Sequence, residues 1–169
     1  MDIHQAYEQL RYQGQTITSL VAGLTEEQAR WKPEPESWSV LEILNHLVDE
    51  EILDFRAHLG HILFSPNEPW SAIDPEGWVH AKKYNERNLG ETVTQFKSER
   101  EKSIAWLTGL SNPNWDAAIT LEWGDLMAGD MLASWLAHDL LHLRQLVALR
   151  YQLTQQTNLP YRVGYAGQW

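Results

Sequence analysis

The chain has no cysteine, which excludes a disulfide framework, a thiolate metal ligand and a protein thiol nucleophile. Any thiol chemistry must use a thiol that arrives from outside. Long apolar runs are missing too. No window approaches the roughly 18 apolar residues of a membrane span, and the N-terminal MDIHQAYEQLRYQGQ has no apolar targeting core. Positive charge is scarce: 13 basic against 23 acidic residues give a formal net charge of -10, which disfavours nucleic acid and anionic membranes as partners. The expectation is a soluble cytoplasmic protein. With 169 residues, it is expected to form one domain over residues 1–169 with a closed hydrophobic core.

What is present is helical periodicity. Ile3, Tyr7, Leu10, Gly14, Ile17, Val21 and Leu24 recur every three or four residues and predict a first helix ending near Gly23 to Thr25. A second opens with a capping box, Ser39 with Glu42, and carries Val40, Leu44, Leu47, Phe55, Leu59 and Ile62 until Ser65 and Pro66 stop it. A third runs from about Asn88 to Gly109. A fourth runs from near Gly129 past Leu149. The reading is all-α, a four-helix bundle with a long loop after helix two. WKPEPESW and SPNEPWSAIDPEGW combine proline with tryptophan and are expected to be ordered loops over the bundle ends. DAAITLEWG has the character of a short extended excursion. That long loop can cross the bundle, so the sequence leaves the helix directions open.

Helix four contains ASWLAHDLLHLRQLV, residues 133–147, with His138 and His142 four positions apart on one face. With seven histidines in the chain, one such pair arises by chance in about a quarter of sequences of this kind, so the spacing alone is weak. His46 lies inside another apolar run, WSVLEILNHLVDEE, and would meet the pair at similar depth if helices two and four run in parallel. Three neutral imidazoles suit zinc, nickel, iron or another divalent ion, with positions left open for water or substrate. The bland alternative is three hydrogen-bonded core histidines.

Glu50, one turn after His46, reads as a fourth ligand, an acceptor fixing a histidine tautomer, or a general base; equally it reads as a solvated carboxylate in the run Asp49, Glu50, Glu51. Trp135 shares the face of His138 and is expected to line the site, and Gln145 reaches either substrate or a facing helix. Asp139 faces away from the histidines or braces a neighbour. His58 and His61, near the end of helix two, read as partners of the helix dipole. His4 and His80 read as exposed, and the C-terminal YRVGYAGQW as an aromatic tail packed on the bundle.

The blocks WSVLEILNHL, residues 38–47, and LAHDLLHLRQL, residues 136–146, resemble the DinB-like (DinB/YfiT) superfamily of helical-bundle metalloenzymes. The resemblance covers almost the whole chain. It implies a four-helix bundle with one divalent metal on His46, His138 and His142, in a homodimer. It also implies, for some members, transfer of a low-molecular-weight thiol such as bacillithiol, mycothiol or glutathione. The functional expectation is a metal-dependent S-transferase or hydrolase acting on a small molecule, with Glu50 as a proton acceptor in the hydrolytic version. The alternative is a noncatalytic, stress-related protein that binds a metal or small ligand.

Overall fold

The computed structural model describes residues 3–167. The elements run α1 (Ile3–Val21), α2 (Glu26–Arg30), α3 (Val40–Asp49), a π-helical segment (Glu50–Phe55), α4 (Arg56–Phe64), α5 (Pro75–Ala81), a 3-10 turn (Tyr84–Glu86), α6 (Leu89–Thr108), β1 (Ala118–Leu121), β2 (Gly124–Met127), α7 (Ala128–Thr157) and a last 3-10 turn (Gly164–Ala166). The Ser39 capping box forms at the start of α3: the hydroxyl accepts from Glu42 N at 3.1 Å, and Glu42 Oε2 accepts from Ser39 N at 2.8 Å. Asn88 caps α6 by accepting from the Glu91 amide at 2.9 Å.

Helix two of the sequence reading is one helical rod interrupted by the π-helical segment. The extended excursion is an antiparallel hairpin, Ala118 opposite Met127 and Leu121 opposite Gly124. Gly124 has φ of 134°, a conformation open to glycine at that turn.

Paired contacts give the helix directions. Tyr7 on α1 bonds Leu107 O, and Leu10 O accepts from Arg100, so α1 and α6 are antiparallel. Asn45 meets Thr92, Glu51 meets Arg100 and Arg56 meets Ser103, so the rod of α3 and α4 runs parallel to α6. His46 faces His138 while Glu51 meets Trp135, so that rod and α7 are antiparallel. The parallel arrangement considered for helices two and four is therefore overturned. The histidines still meet because α7 is 30 residues long and presents its middle, not its start, to α3. The long connection after α4 is what allows parallel neighbours in the bundle.

Side chains fill the interior in three layers. One apolar lobe gathers Ile17, Val21, Leu41, Leu44, Leu47, Phe96 and Leu146. The other gathers Leu10, Phe55, Leu59, Ile62, Leu107, Leu132 and Trp135. Along each of the four long helices the residues between these lobes are polar: Gln13 on α1, the stretch from Asp49 to Glu51, Arg100 on α6, and His138, Asp139 and His142 on α7.

Arg100 is the hub of that polar layer. It donates to Glu51 at 2.7 Å, to both oxygens of Asp139 at 2.6 and 2.9 Å, and to Leu10 O at 2.8 Å. Asp139 thus braces another helix, one of the two readings made of it. Gly14 makes room for this arrangement: a Cβ there would lie 3.2 Å from Arg100 Cγ. Its place in the apolar stripe of α1 comes from size, since the guanidinium stem crosses the helix at that point. The C-terminal tail departs from expectation. Tyr161 and Tyr165 are exposed rather than packed on the bundle, and Gln168 and Trp169 lie outside the described residues.

Candidate metal centre

Every residue of α3 is buried, because α2, α5, the Tyr84–Glu86 turn, α6 and α7 enclose it. Each polar group on this helix therefore needs a partner. Glu42 has the Ser39 cap and Lys32 at 2.7 Å. Asn45 donates to Leu41 O and accepts from Arg87. Asp49 accepts from Lys82 at 2.9 Å and from the Tyr84 hydroxyl. Glu51 accepts from Arg100 and from the Trp135 indole. The acidic run is buried along its whole length, which overturns the solvated reading of Asp49, Glu50 and Glu51.

Among the described residues, six buried side-chain atoms lack a hydrogen-bond partner: Gln13 Oε1, Glu26 Oε2, His46 Nδ1, Glu50 Oε1, Glu51 Oε2 and His138 Nδ1. Three of them, on His46, Glu50 and His138, gather at one place, and such groups call for an explanation beyond packing.

The three imidazoles converge through Nε2. His138 Nε2 lies 3.3 Å from His46 Nε2 and 3.1 Å from His142 Nε2, and the donor nitrogens of all three fall within 4.8 Å of one another. Two nitrogens bound at 2.0–2.1 Å to one tetrahedral ion are separated by roughly 3.3–3.4 Å. The spacing is that of a ligand set. His142 Nδ1 donates to Gln145 Oε1 at 2.7 Å, which fixes the tautomer whose bare Nε2 points into the cluster.

Electrostatics agree. Burial first, then the neighbouring imidazoles, push His46 down to about 2. Burial, His142 and Arg100 hold His138 at about 3 against a raising contribution from Asp54. His142 is lowered by burial as well, against the raising effects of Gln145 and Asp139. All three rings are neutral at pH 7 and present lone pairs. Glu50 Oε1 sits 3.8 Å from His46 Nδ1, behind the cluster. Burial, followed by the hydrogen bond and charge of Asp54 and the charge of Asp49, pushes its carboxyl up to about 9.

The three histidines line a cavity of ≈ 970 Å³. Its walls come from Trp38 and Glu36 of the loop before α3, from Ile73 to Glu76 before and at the start of α5, and from Leu141, Arg144 and Gln145 of α7. The Trp38 ring is parallel to that of His142 within 3° at 6.3 Å and packs against His46 at 4.9 Å, while Phe55 packs against His138 at 5.0 Å. Sequence reasoning passed over both aromatics. Trp38 had a visible signal, since it directly precedes the Ser39 cap and so sits beside the first turn of α3.

Trp135 is not among the cavity-lining residues. It is buried behind Phe55, stacked on it at 5.4 Å, with its indole nitrogen on Glu51. Gln145 lines the cavity and also holds His142; it contacts no facing helix through its amide oxygen. His58 is buried rather than placed at a solvated helix end: Nδ1 meets Asp54 Oδ1 at 2.6 Å and Nε2 meets Ser71 O at 2.9 Å. His4 and His80 are exposed, as read.

A helical bundle with three imidazoles converging beside a cavity fits one class, the bundle-borne metal site. The comparisons then fix the family. The model of the DinB superfamily matches residues 9–146, and the chain belongs to that superfamily. Among solved structures the chain is similar to YfiT from Bacillus subtilis, described as a probable metal-dependent hydrolase with an unusual four-helix bundle topology. The two share 13% identity with a TM-score of 0.78, over 90% of this chain and 87% of that one. That likeness establishes the fold. No curated protein matches the chain by sequence.

Proposed function

We propose that this protein is a metal-dependent enzyme acting on a small molecule, with His46, His138 and His142 holding one divalent cation. The observation that carries the proposal is the convergence of three neutral imidazoles beside an open cavity, His138 Nε2 lying 3.3 Å from His46 Nε2 and 3.1 Å from His142 Nε2 and all three within 4.8 Å of one another. A structural ion is enclosed by protein ligands; three ligands facing a cavity leave positions for a reactant. Zinc, nickel and iron all suit an all-imidazole set.

Bound there, a divalent cation supplies Lewis acidity and lowers the pKa of a coordinated thiol or water into the neutral range. The chain's own residues do the rest. Gln145 holds the tautomer of His142, Glu50 faces the outer nitrogen of His46, and Trp38 and Phe55 keep the rings in place and limit water at their edges.

Transfer of a low-molecular-weight thiol to an electrophile is the first reading. Glu50 lies on the Nδ1 side of His46, away from the converging Nε2 atoms. A thiol stabilised as thiolate needs no separate base to attack, whereas water benefits from one. The cavity volume also leaves room for a thiol and a second substrate together. Hydrolysis is the second reading, favoured by the description of the YfiT fold neighbour; Glu50 would then act through His46. A cytoplasmic homodimer completes the proposal. Leu140 and Val147, seven apart on α7 and both exposed, offer apolar surface for a second copy.

Metal-loaded protein offered bacillithiol, mycothiol or glutathione with a panel of electrophiles, and in parallel a panel of esters and amides, separates the readings. Thiol adducts lost in His142→Ala support transfer. Turnover without thiol supports hydrolysis, and metal binding with neither activity favours the binding-protein alternative.

A further inference from the structure

The connection between α4 and α5 reaches the cavity, and one buried histidine fastens it. His58 is 2% exposed and has acceptors on both sides. Its Nε2 meets the carbonyl oxygen of Ser71 at 2.9 Å, and its Nδ1 meets Asp54 Oδ1 at 2.6 Å. A carbonyl oxygen only accepts, so Nε2 donates the proton of that bond, and Nδ1 shares a hydrogen bond with the Asp54 carboxyl group. Trp70 lies flat on the ring, centroids 3.9 Å apart and planes 9° apart, and His61 meets the other part of that indole edge-on at 5.4 Å.

We propose that His58 is a positioning residue, a clasp that joins Asp54 on the π-helical segment to Trp70 and Ser71 of the connection and so sets one wall of the histidine cavity. Ser71 is two residues from Ile73, a reach of at most about 7 Å of chain. Ile73, Asp74, Pro75 and Glu76 all line the cavity, and Asp74 caps α5 by accepting from Gly77 N at 2.9 Å. Fixing Ser71 therefore fixes where the wall begins. The positioning role rests on the cavity being the reacting site; the bonding state of His58 does not.

Three measurements test it. Long-range 1H–15N spectra of the wild-type protein at pH 7 are expected to show His58 Nε2 protonated. A bare Nε2 on His58 overturns the clasp. In His58→Phe, which keeps an aromatic face for Trp70 and loses both bonds, amide exchange over residues 66–76 is expected to rise at least tenfold with α6 unchanged; unchanged exchange there overturns the clasp as well. With Co2+ as the loaded ion, the dissociation constant for 2-mercaptoethanol is expected to move at least threefold in His58→Phe while Co2+ affinity stays constant. An unmoved constant overturns the positioning role. A protein that takes up no Co2+ refutes the proposed function, and the spectra and exchange still decide the clasp.

Discussion

Replacing Arg100 with methionine tests whether the polar layer is a closed electrostatic unit. The substitution keeps much of the apolar stem and removes the guanidinium that serves Glu51, Asp139 and Leu10 O. Both carboxylates are 1% exposed, so neither can turn to water. Breaking a buried ion pair by deleting one partner costs about 3–5 kcal/mol, and here two carboxylates lose their counter-charge together. For a chain of this length such a loss lowers the melting temperature by on the order of 10 °C. The assay is urea unfolding of the metal-free protein, with the slope compared to confirm an unchanged transition. The deficit should shrink as the pH is lowered toward 5, because only the ionised carboxylates are destabilising once the arginine is gone. Adding Glu51→Gln and Asp139→Asn to Arg100→Met should recover most of the loss, since a neutral layer has no charge left unpaired. A cost below about 1 kcal/mol for Arg100→Met, or no recovery in the triple variant, would refute the reasoning.

Gly14→Leu forces a side chain against an arginine held by three partners, so urea unfolding should register a loss of about 1–3 kcal/mol. Gln145→Leu removes the acceptor that fixes His142 and should weaken metal affinity by about 10- to 100-fold in a competition titration, with little change in unfolding. Metal uptake at pH 7.5 should release about one proton more from wild type than from Glu50→Gln, because the incoming charge ionises a carboxyl that burial holds at about 9; calorimetry in buffers of different ionisation enthalpy counts it. In the metal-free protein, Glu50 has a raised folded pKa, so its contribution is full below its unfolded pKa and falls as pH rises toward about 9. The three histidines have lowered folded values, so their contribution is full above 6.5 and falls as pH drops below it. Metal-free stability should therefore peak near pH 6.5, each group changing it by up to about 1.4 kcal/mol per pH unit.

The helices were legible because apolar periodicity and caps are local. Ser39 with Glu42, and Asn88 before Leu89, mark their starts without reference to the rest of the chain. Helix direction was not legible, since an apolar stripe reads the same whether its neighbour runs parallel or antiparallel. The three histidines stood out as polar residues inside apolar runs, whereas the same contrast left Asp49, Glu50 and Glu51 undecided between a role at the site and a solvated rim. A run of acids ordinarily faces water; these do not, because α3 is enclosed on every side and its partners, Lys82, Tyr84 and Arg100, come from distant segments. Trp135 shares a helical face with His138, yet the stacked Phe55 from the π-helical segment takes the position beside the imidazole. A local widening of a helix leaves no periodic trace in sequence. His58 was hidden for the same reason, its partners on the loop side being set by the course of a connection rather than by spacing.

The central claim is that His46, His138 and His142 form one metal site. The direct measurement is elemental analysis with X-ray absorption on untagged protein, wild type beside His138→Ala. One equivalent of divalent metal per chain with three imidazole ligands, lost in the variant while helicity is kept, is the expected result. Protein that binds no divalent metal at neutral pH, or binds it equally well without His138, would contradict it.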